Sequence, residues 1–229
     1  MADSEKLSTF HPSLGPPGPE GARGEITVLE RACQHVRRHV RRQLPSAAVQ
    51  AGVLIVLTRQ PEDPRIILTR RPEQMRSYGG AVVFPGGKRA RGDATLAATA
   101  LRETEEEIGI KACDIELVGA LDDIFSPRGV RITPFMAVVA PQVRLAANPD
   151  EVETIFRVPL SELTRPGALA FEPFELDQRE LKMPVWRYQG HTIWGLTAIM
   201  LADFLNVAGQ GHFVSGLSQA LYGPAPGAC

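Results

Sequence analysis

Residues 84–110 constrain this chain more than any other stretch, because a glycine turn there feeds directly into an acidic helix. The run reads Phe84-Pro85-Gly86-Gly87-Lys88-Arg89-Ala90-Arg91-Gly92-Asp93 and continues to Leu101-Arg102-Glu103-Thr104-Glu105-Glu106-Glu107-Ile108-Gly109-Ile110. With 3.6 residues per turn, Ala97, Leu101, Thr104 and Ile108 form an apolar stripe that has to be buried. Glu103, Glu106 and Glu107 stand at i, i+3 and i+4 and share the opposite face within one turn.

A solvated face is the ordinary explanation for a pair of glutamates, which favour helix. It explains three on one turn less well. Like charges at that spacing repel, and near a helix C-terminus the macrodipole disfavours anions. A hard divalent cation such as Mg²⁺ or Mn²⁺ reverses both costs, because it prefers carboxylate oxygens. Gly86 and Gly87 lack side chains, so their backbone can approach a metal or a phosphate closely, and the Gly87 carbonyl is a candidate ligand.

The rest of the chain supplies a body for such a site. Its 229 residues are 44% hydrophobic and 22% charged, enough for one sizeable core. A net charge of −1 provides no global field for nucleic acid or an anionic membrane, so phosphate binding has to be local. Cys33, Cys113 and Cys229 are scattered and fit neither a disulfide framework nor a zinc ribbon. No apolar run reaches the roughly 20 residues of a membrane span, and the opening residues lack the order of a signal peptide. The expectation is a cytoplasmic protein with a small-molecule partner; monomer and homodimer both stay open.

Proline and glycine crowd residues 1–24, predicting a disordered tail, and 209–229 is expected to be a second tail. An N-terminal helical extension is expected within 25–47, where Leu29, Ala32, Val36 and Val40 keep helical spacing over 27–43 among many arginines. His35 and His39 lie one turn apart, but the arginines around them disfavour a bound cation. The main domain is expected over 48–208. Strand-like runs fall at 51–58, 65–69, 81–84, 115–121 and 130–140, with helices near 93–108, 160–163 and 195–207. A long irregular stretch leads to a short strand pair at 185–188 and 191–193. Strands interleaved with few helices predict an α/β or α+β sandwich.

The glutamate helix resembles the signature of the Nudix hydrolases, G-x5-E-x7-R-E-U-x-E-E-x-G-U, where U is aliphatic. Arg102 to Ile110 matches its second half, with Thr104 at a U position. The first half departs: Asp93 replaces the glutamate, and eight residues separate it from Arg102, so Asp93 is not counted as a ligand. Directly upstream, Ile67-Leu68-Thr69-Arg70-Arg71-Pro72, Arg76, Gly80 and Phe84–Gly87 resemble the motif of the coenzyme A pyrophosphatase branch, with Pro72 in place of a small residue.

The resemblance implies a Nudix-like α/β/α sandwich around a central mixed β-sheet. It implies metal held by Glu103, Glu106, Glu107 and the Gly87 carbonyl, with Arg102 and Gly86 as structural support. Arg70, Arg71 and Arg76 become candidate substrate contacts, since guanidinium forks pair with phosphate oxygens. The general base is either a glutamate of the box or Glu151 on a later loop, with Glu153 the alternative. The implied reaction is cleavage of coenzyme A into 4′-phosphopantetheine and adenosine 3′,5′-bisphosphate. ADP-ribose, a dinucleotide or a nucleoside triphosphate are the rival substrates, and a non-catalytic nucleotide sensor is the rival role.

Overall fold

The computed structural model describes residues 26–75, 77–176, 179–211 and 213. The 1–24 tail lies outside the described residues, as do Cys229 and most of 209–229. In chain order the elements are α1 (Val28–Arg38), β1 (Gln50–Thr58), β2 (Arg65–Arg70), β3 (Val82–Val83), β4 (Gly86–Lys88) and α2 (Leu96–Ile108). Next come β5 (Glu116–Ala120), β6 (Ile124–Phe125), β7 (Arg131–Val139), β8 (Thr154–Pro159) and α3 (Leu160–Thr164). Last are β9 (Leu169–Leu176), β10 (Arg179–Tyr188), β11 (His191–Ile193) and α4 (Gly195–Val207).

The main sheet runs β3-β2-β1-β7-β5, with β4, β6 and β8 pairing at its margins, and β1 lies parallel to β7 while the other pairs are antiparallel. Strand β1 is apolar almost throughout because both of its faces are covered. Leu54 and Val56 point to the layer under α2, and Ile55 and Leu57 to the layer under α1 and α4. Two cores on opposite faces of one mixed sheet make the expected α/β/α sandwich. Helix α2 sits low on β1 because Gly52 has no side chain; a Cβ there would come 2.2 Å from the Leu96 carbonyl oxygen. Among the described residues no helix is long and apolar enough to cross a membrane.

Three expectations need correction. The N-terminal helix stops at Arg38 and does not continue toward residue 43. Two aspartates hold the following segment in an extended course: His39 Nε2 meets Asp122 at 2.7 Å, and the Arg42 N–H donates to the same carboxylate. Buried Asp123 accepts from the Arg41 guanidinium, from the Thr133 hydroxyl and from the Leu44 N–H. His39 is thus committed to a carboxylate, and His35 packs against Gly209.

The stretch expected to be irregular before residue 185 is the β9–β10 hairpin of a second, three-stranded sheet. Pro173 and Pro184 concealed it, since proline inside a run reads as a strand breaker. Residues 209–211 and 213 remain docked: Gln210 N–H donates to Leu205, Phe213 N–H to the Asn206 side chain, and the Phe213 ring tilts against Trp186.

Asp203 on α4 is largely buried near Asp122, and its carboxyl is pushed up to about 6 by burial, then by the Asp122 charge, against the opposing pull of Arg42. The folded protein therefore holds this proton more tightly than the unfolded chain, whose value is near 3.8. The stabilisation is full below that value and is lost as pH rises through about 6. Asp203→Asn is expected to raise stability by about 1–3 kcal/mol at pH 7.5. The gain should vanish near pH 4; thermal melts at the two pH values check it, and an equal shift at both would refute the assignment.

Candidate active site

The site forms where β4, α2 and the loop before β8 converge. Asp93, left aside as a ligand on its spacing, accepts from Arg102 through Nε to Oδ1 at 3.0 Å and Nη2 to Oδ2 at 3.1 Å. It also takes the Ala90 N–H at 2.8 Å and the Thr99 hydroxyl at 2.9 Å. These contacts, Arg102 foremost, hold its carboxyl well below the usual carboxylate range. The extra residue falls after Asp93, in the stretch 94–101, where α2 starts at Leu96 with Thr95 as its cap. Asp93 keeps five residues between itself and Gly87, and that spacing was the one available signal of its role.

Arg102 extends from Asp93 to Glu103 and Glu106, at 2.8 Å each. Glu106 is consequently drawn along the helix surface, its side chain 54% exposed, and lies outside the carboxylate cluster. That cluster consists of Glu103, Glu107 and Glu151, with one oxygen of each within 4.8 Å of the others.

Glu107 is only 2% exposed, although the sequence put it on the solvated face. Its carboxylate accepts the Gly86 N–H at 3.1 Å and lies 3.9 Å from the Arg71 guanidinium. Burial pushes its carboxyl up to about 7, and the charges of Glu151 and Glu103 add to the rise. Burial also raises Glu103. Gly86 has φ 145°, and a Cβ on it would meet the Gly52 oxygen at 2.4 Å. At Gly87 a Cβ would fall 2.4 Å from the Glu103 carboxyl carbon, so glycine alone leaves room for that carboxylate.

Glu151 arrives on a loop tied to the end of α2, where Ala146 N–H donates to Ile108 and Asn148 N–H to Glu107. Val152, buried next to it, anchors the loop. Glu153 turns the other way and pairs with Arg70, which also pairs with Glu73. Of the three candidate arginines, Arg71 faces the cluster, Arg70 is engaged by carboxylates, and Arg76 lies outside the described residues. The Nε of Arg71 is buried and has no hydrogen-bond partner among the described residues.

The donor set suits a hard divalent cation. Three carboxylates crowd together, two with raised proton affinity, and Arg71 is the cation that the ion pairs bring to them from outside the helix. A cation between the oxygens would relieve the burial and the mutual repulsion together.

The chain is similar to known proteins of one family. A family model described as "NUDIX domain" matches residues 48–180. A Klebsiella pneumoniae protein named "Uncharacterized Nudix hydrolase NudL" is 38% identical over 156 residues, covering 67% of this chain and 80% of the relative. Its namesake from Cronobacter sakazakii is 35% identical over 163 residues, covering 70% and 83%. Among solved structures, a MutT/nudix family protein from Enterococcus faecalis overlaps 80% of this chain and 70% of its own, at 16% identity and a TM-score of 0.47. The NUDIX domain of Shewanella oneidensis NrtR, solved with ADP ribose, covers 52% of this chain and 77% of its own, at 18% identity and a TM-score of 0.42.

Proposed function

Because the chain belongs to the Nudix family and is a pyrophosphohydrolase of that family, we propose that its substrate is coenzyme A or a derivative. The products are 4′-phosphopantetheine and adenosine 3′,5′-bisphosphate. The observation that carries this reading is Arg71: a residue of the motif resembling that branch stands 3.9 Å from buried Glu107, its Nε without a hydrogen-bond partner among the described residues. A guanidinium held there can donate to the oxygens of a diphosphate entering beside the carboxylates.

In this reading Glu103 and Glu107, with the Gly87 carbonyl, would hold Mg²⁺ or Mn²⁺. Glu106 joins them only by leaving Arg102, its present partner. A divalent cation bound there would neutralise the diphosphate and make water more acidic. Glu151 takes the proton as the water oxygen bonds to phosphorus and the bridging P–O bond breaks. What favours Glu151 over Glu153 is that it reaches Glu103 and Glu107, whereas Glu153 is occupied by Arg70. Arg102 acts as a positioning residue that orients Glu103, and Gly86 does the same for Glu107 through its N–H.

The test compares substrates in Mg²⁺ and in Mn²⁺. Coenzyme A is expected to exceed ADP-ribose and diadenosine diphosphates in kcat/KM. Dephospho-coenzyme A, without the 3′-phosphate, should lose about ten- to a hundredfold, the value of one charge-assisted contact. Equal rates on coenzyme A and ADP-ribose would remove the substrate assignment and leave the family reaction standing.

A further inference from the structure

On the loop that follows Arg71 an aromatic side chain stands in the open, and nothing in the reaction described so far uses it. Tyr78 lies on the loop between β2 and β3. That loop closes on Arg71, whose N–H donates to the Ala81 carbonyl at 3.0 Å and whose carbonyl accepts the Gly80 N–H at 3.1 Å. The stem of the loop is thus the residue that reaches Glu107. Tyr78 is 56% exposed and adopts φ 57°, a left-handed conformation unfavourable for a bulky side chain. Such backbone persists where its surroundings enforce it, and it concentrates at ligand-binding positions.

Among the described residues the ring has one charged partner. Arg128, on the turn between β6 and β7, sets its guanidinium over the ring at 5.4 Å from the centroid. Among the described residues Arg128 makes no ion pair. Strand register brings this turn to the same end of the sheet as the carboxylates. Strands β1 and β7 start there together, with Gln50 beside Arg131, and Gly52 pairs with Gly87 of the glycine turn. Strand β2 is antiparallel to β1 and ends there at Arg70.

We propose that Tyr78, backed by Arg128, is a stacking platform for the nucleobase of the substrate. The inference rests on the reading of the substrate as a nucleoside diphosphate derivative. An electron-rich phenol ring with a cation on one face keeps its other face for a planar heteroaromatic ring. The Arg128 charge favours the phosphates attached to that base. Gly79 and Gly80 follow directly, so neither neighbour on that side has a side chain with which to cover the ring.

The test uses the full chain with Tyr78→Asn, Tyr78→Phe and Arg128→Ala. Asparagine tolerates the left-handed backbone, so its effect reports loss of the ring and not strain. Two substrates are compared, coenzyme A and a dialkyl diphosphate that has no base. Tyr78→Asn is expected to lower the ratio of kcat/KM between them about tenfold, mainly through KM, as loss of one base–aromatic stack does. Tyr78→Phe should preserve the ratio, and Arg128→Ala should lower it less than Tyr78→Asn does. Calorimetric titration with AMP gives a readout without turnover, where Tyr78→Asn should weaken binding about tenfold. If the wild type hydrolyses neither substrate, the substrate reading fails and the AMP titration alone decides the platform. An unchanged ratio, or AMP binding equal in wild type and Tyr78→Asn, overturns the proposal.

Discussion

Glu107→Gln is expected to lower kcat by about a hundredfold or more, the scale of losing a metal ligand or an acid–base group. The replacement keeps the length of the side chain and can still accept the Gly86 N–H, so the glycine turn stays in place. It also removes a charge from a position 2% exposed, where burial opposes ionisation. The variant should therefore melt, in chelator, no lower than the wild type. Loss of turnover with retained stability is the signature of a residue placed for chemistry at a cost to folding. Initial rates at saturating Mg²⁺, beside melts in chelator, check both halves. Wild-type turnover in the variant would falsify the placement of the reaction at this cluster.

Arg102→Lys is expected to act differently. The guanidinium spans Asp93, Glu103 and Glu106 and also reaches the Lys88 carbonyl. An ammonium is a point charge and cannot hold that set with a planar fork. Glu103 then loses its orientation, and Asp93 keeps only the Thr99 hydroxyl to tie the 90–93 turn to α2. Loss of such an outer support costs metal affinity about ten- to a hundredfold. The Mg²⁺ concentration for half-maximal rate should rise by that factor, with much of kcat recovered at high Mg²⁺. A metal-independent fall in kcat would instead give Arg102 a direct part in the reaction, and no change at all would show that the turn holds without it.

Local sequence explains why the core of this arrangement was legible in advance. The α2 glutamates, the glycine turn and five strands of the main sheet, β1, β2, β3, β5 and β7, are encoded by short-range periodicity, with apolar positions at 3.6 or 2 and glycines where backbone must come close. The final helix likewise matches its expected span, Gly195–Val207. The β9–β10 hairpin escaped because its partners meet across a turn and its prolines break the pattern. Helix α1 ended early because residues about 80 positions away, Asp122 and Asp123, compete for its backbone and side chains.

The same division runs through the site. Sequence by itself determined that three carboxylates ride on one helical turn beside two glycines, since a helix imposes that spacing whatever surrounds it. Only the tertiary structure decided which of them meet. The loop after β7 brings Glu151 to Glu103 and Glu107. Arg102 withdraws Glu106 while Asp93 holds Arg102 in place. Glu153 is matched to Arg70, leaving Arg71 to face the cluster. Those choices depend on burial and on charge partners distant in the chain, and a carboxylate's partners are fixed by the packed surroundings that exclude water around it.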